Sequence, residues 1–149
     1  MRIMGLDVGD KRIGIAISDP LGWTAQGHSV LKRGKLNSDL ELIADLCREF
    51  AIQQIVVGYP LNMNGTRGPK AQEVQEFGQT LGEYLQLPVD YWDERLSTVS
   101  AERVLISADV SRQKRKEVID KMAAVHILQG YLDRLANQKF DKEVAERIE

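Results

Sequence analysis

Three acidic positions stand out for where they fall in the chain. Asp7 interrupts the apolar run of "GLDVGDKRIGIA" (residues 5–16), where a carboxylate is costly unless a cation meets it. Glu94, with its neighbour Asp93, closes a short strand-like stretch in "DYWDERLST". Asp120 lies in "EVIDKMAAVHILQGYLDRL", where Ala123, Ala124, Ile127, Leu128, Tyr131 and Leu135 recur as one helical stripe. At roughly 100° per residue, Asp120 falls inside the arc of that stripe and Asp133 nearly opposite it. Carboxylates that converge repel one another and hold their protons more tightly. A hard divalent cation, Mg²⁺ or Mn²⁺, resolves the conflict by taking oxygen from one or two carboxylates and completing its shell with water and phosphate. The two histidines, His28 and His126, are far apart in the chain and read as structural, so zinc is not expected.

The chemistry suited to such a site is phosphodiester hydrolysis. It requires an in-line oxygen nucleophile and stabilisation of charge on the leaving oxygen, and two divalent ions about 3.5–4 Å apart supply both. The expected arrangement has Asp7 bridging two ions, with Glu94 and Asp120 each completing one side. Period-2 alternation turns Asp93 to the face opposite Glu94, which makes it an extra ligand or an outer acceptor at most.

Substrate grip must be local, because the formal net charge is −2 and no global positive field is available. Cations sit beside every acid: Lys11 and Arg12 after Asp7, Arg95 after Glu94, and Arg112, Lys114, Arg115, Lys116 and Lys121 around Asp120. Arg67 and Lys70 flank the loop "GYPLNMNGTRGP" (residues 58–69), which reads either as a polar linker or as a flap whose Asn62, Asn64 and backbone groups contact nucleic acid. Each cluster alone suits a solvated face; their adjacency to the acids points to phosphate contacts. Aromatic residues are not interleaved with these cations, so stacking on single-stranded bases has little support.

The elements that must position these residues follow from periodicity. Residues 2–8, 12–19 and about 24–32 read as strands joined by short turns, hence an antiparallel meander. A helix over 37–50, with Asn37-Ser38-Asp39 as its cap, leads to a fully apolar strand at 55–59. A helix over 69–86, a strand over 89–93 and helices over about 97–107 and 112–138 complete the pattern. This predicts an α/β fold: a mixed five-stranded sheet, three antiparallel strands then two parallel ones, flanked by helices. Ligands in such sheets gather beyond the carboxyl ends of strands. Gly14, Gly58 and Gly65 mark turns or close backbone approach.

At 149 residues the chain suits one domain, taken as 1–138, with 139–149 as a charged tail forming an extra helical turn or fraying. Its one cysteine, Cys47, excludes an internal disulfide and reads as a buried apolar residue. With no secretory-type opening and no long apolar span, a cytoplasmic protein without membrane contact is expected.

The blocks "GLDVGDKRIGIA", "GYPLNMNG", "DERLST" and "DKMAAVHILQGYL" resemble the signatures of the YqgF family, also called RuvX-type, in the expected order over residues 2–138. Its members are small bacterial proteins classed as Holliday-junction resolvases and linked to maturation of the 5′ end of small-subunit ribosomal RNA. The resemblance implies a ribonuclease-H-like fold and places the family's catalytic acids on Asp7, Glu94 and Asp120. It therefore implies a nuclease of structured RNA, in ribosome biogenesis, or of branched DNA, in recombination; a non-catalytic nucleic-acid-binding or ribosome-assembly factor is the remaining alternative. The Asp-x-Gly hairpin also resembles the phosphate-binding turn of sugar kinases and actin-like ATPases. Those proteins close two lobes on a nucleotide, and this chain is long enough for one. Symmetric cutting of a four-way junction needs two active sites and a self-complementary patch. The apolar stripes all look consumed in covering the sheet, so a monomer or weak homodimer acting on ribosomal RNA precursor is expected.

Overall fold

A computed structural model describes residues 1–62, 64–93 and 112–148. The described strands are β1 (Ile3–Val8), β2 (Arg12–Ser18), β3 (Ala25–Lys32), β4 (Gln54–Tyr59) and β5 (Val89–Asp93). The helices are α1 (Leu36–Glu49), α2 (Pro69–Leu85) and α3 (Arg112–Ile148). The strands form one sheet in the order β3-β2-β1-β4-β5. The pairs β1–β2 and β2–β3 are antiparallel, and β1–β4 and β4–β5 are parallel. This is the expected mixed sheet. The short turns allow the opening meander, and α1 and α2 supply the crossovers that parallel neighbours require.

Strand alternation divides the core into two layers. Met4, Leu6, Ile13, Ile15, Ile55 and Val57 pack with α1 and α2. Ile3, Ala16 and Val56 pack with Ala124, Ile127, Leu128 and Tyr131 of α3. Asp7 alternates with Ile3 and Gly5, so it belongs to the α3 face. Cys47 is buried in the first layer, and burial pushes its thiol up to about 11, leaving a packing group.

Two element ends differ from expectation. Helix α1 starts at Leu36, ahead of the expected cap. Lys35 takes the N-cap position without a side-chain bond, and buried Asp39 instead turns back to accept the Gly34 amide at 3.1 Å. At the other end of the chain, the charged stretch after residue 138 continues α3 as helix to Ile148, with exposed side chains from 138 to 147. The helix expected over 97–107 lies outside the described residues.

The β2–β3 turn is held by Asp19, whose carboxylate accepts the amides of Thr24 (2.8 Å) and Trp23 (2.7 Å). These bonds, Thr24's first, hold the Asp19 carboxyl below its usual value. A depressed folded value stabilises the turn above the unfolded pKa, and that stabilisation is lost as pH falls through the folded one. Amide shifts of Trp23 and Thr24 are expected to titrate together in acid, below the ordinary aspartate range; shifts that stay constant there contradict this role.

Candidate active site

The β1–β2 hairpin brings the first two candidate side chains together. Asp7 is opposite Gly14 in the antiparallel register, and Gly14 shares its face with Arg12 two residues earlier. Asp7, Gly14 and Arg12 therefore look toward α3 at the carboxyl end of β1. Asp7 is partly buried. The turn between the strands is fixed by the Gly9 amide on the Arg12 carbonyl (2.8 Å) and by Arg33, whose guanidinium donates to the Gly9 carbonyl at 2.7 Å and lies 5.2 Å over the Phe77 ring.

Helix α3 delivers Asp120 to the same place. A Cβ on Gly14 would overlap the Asp120 carbonyl oxygen and lie 2.7 Å from its carbonyl carbon. Two turns along, a Cβ on Gly5 would lie 2.7 Å from Leu128 Cβ and 3.2 Å from the Ala124 carbonyl oxygen. Glycines on the sheet, with the small Ala124 on the helix, thus let α3 approach closely. The sequence places Asp120 toward the sheet, and so does the structure. Asp133, expected on the far side, is exposed and accepts from Gln129 Nε2 at 3.0 Å.

One expectation fails here. The acids were expected to gather without a side-chain cation, yet Arg12 Nε lies 3.0 Å from Asp120 Oδ2, with both side chains about three-quarters buried. The reason is the hairpin register, which turns Arg12 inward with Gly14 while Lys11 stays exposed. Arg12, read as a phosphate contact, is placed as the ion-pair partner of Asp120.

Other sequence candidates are also engaged. Lys70, in the first turn of α2, donates to Asp10 at 2.7 Å, which joins α2 to the hairpin turn and lowers the Asp10 pKa. Arg67 donates to Gln75 Oε1 (2.7 Å) and to the Tyr59 hydroxyl (3.4 Å). Asn62 donates through Nδ2 to the Thr66 hydroxyl (3.1 Å), while Asn64 Oδ1 accepts the Thr66 amide (3.1 Å) and hydroxyl (2.6 Å). With Gly65 at φ 84°, these bonds give the described residues of the loop a self-bonded turn, a geometry that suits both the linker and the flap reading. Arg33 and Asp10, which fasten the hairpin, were not singled out in the sequence; a Lys-Arg pair at a strand end carries no such signal.

Glu94 and Arg95 lie outside the described residues, and Arg112, Lys114 and Arg115 are placed only as backbone in the first turn of α3. In β5, Tyr91 packs in the α1/α2 layer and Trp92 in the α3 layer, so alternation puts Asp93 with Tyr91, away from Asp7.

The donors at this end of the sheet are carboxylate oxygens. His28 is on β3, where it pairs with Ser29 and packs edge-on to Phe50. Asp7 and Asp120 offer what a hard divalent ion requires, so the residues present fit such an ion.

Known proteins resemble this chain throughout its length. The family model for RuvX, described as a Holliday junction resolvase, matches residues 1–134. A curated protein of Syntrophomonas wolfei is 68% identical over 133 residues, covering 89% of this chain and 94% of its own length. One from Heliobacterium modesticaldum is 53% identical, covering 98% and 100%. Both carry the provisional name pre-16S rRNA nuclease. Among solved structures, Thermus thermophilus RuvC with its Holliday junction substrate superposes with a TM-score of 0.55 at 13% identity, covering 91% of this chain and 96% of that one. The fowlpox virus resolvase in complex with junction DNA gives 0.57 at 14%, covering 91% and 99%. These two carry the ribonuclease-H-like fold to this chain.

Proposed function

The chain belongs to the RuvX family of Holliday junction resolvases and is a nuclease of that family, and we propose that it hydrolyses phosphodiesters with divalent metal, processing the 5′ end of small-subunit ribosomal RNA precursor. One observation carries the metal-site reading: Gly14 lets the backbone of Asp120 rest against the strand position opposite Asp7, so two carboxylates from distant segments share one end of the sheet. Asp7 and Asp120 would hold Mg²⁺ or Mn²⁺, with Glu94 as the third ligand. When bound, the metal supplies activation of the attacking oxygen and neutralisation of charge on the leaving one.

The chain's own residues supply position and charge. Arg33 and the Lys70–Asp10 pair clamp the hairpin turn, which fixes where Asp7 is offered. Lys11 is exposed beside that turn and suits a backbone phosphate. Arg12 has two partners available in turn: Asp120 in the free protein, and a substrate phosphate once Asp120 is engaged elsewhere. Arg95, Arg112, Lys114 and Arg115 extend the same cationic surface in this reading, and Asn62, Asn64 and Arg67 contribute through the shape of the loop they stabilise.

The RNA substrate is preferred because both close relatives are named for it. Branched DNA is the second reading, favoured by the family description. The protein acts in the cytoplasm in this account; among the described residues no helix is long and apolar enough to cross a membrane.

Arg12→Met tests the dual role. Nucleic-acid affinity should fall several-fold, and the slope of log K against log salt should shrink by about one phosphate contact. Fluorescence anisotropy across a salt series reads both. An unchanged slope means that the guanidinium stays with Asp120 in the complex.

A further inference from the structure

The two flanks of the active-site end differ in charge. Residues 25–35, which form β3 and its exit, contain Lys32, Arg33 and Lys35 and no acid. Helix α2, on the β4–β5 side, sets Lys70 against Glu73, Glu76 and Glu83. Its lysine is taken by Asp10, and Arg67 just before it by Gln75. A polyanion arriving at Asp7 is therefore attracted from the β3 side and repelled from the α2 side.

Strand register decides which of these cations share the face of the site. Lys32 is opposite Arg12 in the β2–β3 pair, so its side chain is on the same face as Arg12 and Asp7. Two strand spacings and two residues separate it from Asp7, roughly 12 Å in all. Arg33 is held by the Gly9 carbonyl and the Phe77 ring and has no reach to spare. Lys35 follows at the N-cap position of α1 without a side-chain bond. Lys121, next to Asp120 on α3, is laid across β3: a Cβ on Gly27 would meet its Cβ at 3.6 Å and its Cδ at 3.9 Å. A stem resting on a strand in this way leaves its ammonium in water at the edge. Lys32, Lys35 and Lys121 are all exposed, and among the described residues no acid forms an ion pair with any of them.

We propose that Lys32, Lys35 and Lys121 form a phosphate track along the β3 edge, which holds a duplex stem of the RNA substrate beside the cleavage site; the assignment rests on the proposed nuclease function. Lysine acts on phosphate as a point charge with rotatable donors, so these three give grip without sequence preference. The only ring in residues 25–35 is His28, which bonds Ser29 and packs on Phe50. Bases have no platform to stack on there, and the backbone alone is gripped. Gly27, under Lys121, and Lys32 are five residues apart on one strand, roughly 15 Å. A stiff duplex meets charges spread over that length without the ordering cost that a single strand pays.

Fluorescence anisotropy of the full chain tests this, with one labelled stem made as RNA and as DNA, over a salt series in chelator so that nothing is cut. The triple variant Lys32→Gln, Lys35→Gln, Lys121→Gln is compared with the wild type and with Lys139→Gln, Lys142→Gln at the far end of α3. On the RNA stem the triple variant should bind at least about tenfold more weakly, and the slope of log K against log salt should shrink by about two to three, near 0.9 per phosphate contact. The control pair should match the wild type, and far-UV spectra should show every variant folded. Unchanged affinity and slope in the triple variant overturn the track, while precursor cleavage by the wild type in Mg²⁺ would still uphold the nuclease function. An equal loss in the control pair, a loss confined to the DNA stem, or a wild type that binds neither stem also overturns it.

Discussion

Asp7→Asn is expected to lower the cleavage rate by on the order of a thousandfold or more while the chain stays folded and at least as stable as before. The carboxylate is partly buried near the end of β1, and among the described residues no hydrogen bond or ion pair holds it. It faces the backbone of Asp120 across Gly14. A partly buried carboxylate with no hydrogen bond or ion pair of its own adds nothing to the fold, so neutralising it spares stability, while the proposed metal site would lose one carboxylate oxygen. Unfolding midpoints and single-turnover rates on the same preparation check both halves. A folded Asp7→Asn protein that cleaves at the wild-type rate ends the metal-site account.

Gly14→Ala should be strongly destabilising. The added carbon overlaps the Asp120 carbonyl, a backbone atom in a helix that cannot rotate away. Helix α3 must shift, and its contacts through Ala124, Ile127 and Leu128 shift with it. Overpacking of this kind costs roughly 1–3 kcal/mol and more where backbone must move. Activity should fall further than stability alone explains, because the displaced residue is Asp120 itself, a proposed metal ligand, and small misplacements of such a group are expensive. Denaturant melts and cleavage assays below the midpoint separate the two effects. Wild-type stability in Gly14→Ala contradicts the close approach.

Much of this architecture was legible in the chain because it depends on local period. Short, nearly continuous apolar runs over residues 3–8 and 12–18, bounded by turn residues, mark strands whatever they pair with, and the apolar stripe of α3 fixes the direction of Asp120 without knowledge of the sheet. The pairing of Arg12 with Asp120 was hidden because it needs the β1–β2 register and the docking of α3 at once. Asn62 and Asn64 illustrate a different blindness: amides in a Gly-containing loop suit either a ligand or a turn, and here the turn takes them through Thr66. An apolar groove at the start of β1 escaped for a third reason. Trp23 is in a turn and Phe140 in a charged helix end, so neither belongs to a stripe, and only the fold sets them around one groove.

The central claim, a metal-dependent nuclease for ribosomal RNA precursor, is tested most directly by cleavage of two substrates in parallel. The wild-type protein and Asp7→Asn are incubated with a 5′-extended small-subunit precursor and with a four-way DNA junction, in Mg²⁺ or Mn²⁺ and again in chelator. The account predicts cleavage at the 5′ end of the precursor, faster than any junction cutting, absent in chelator and absent in Asp7→Asn although that variant still binds the RNA. Binding without cleavage by the wild type in either metal, or paired symmetric nicks in the junction with an intact precursor, would contradict it.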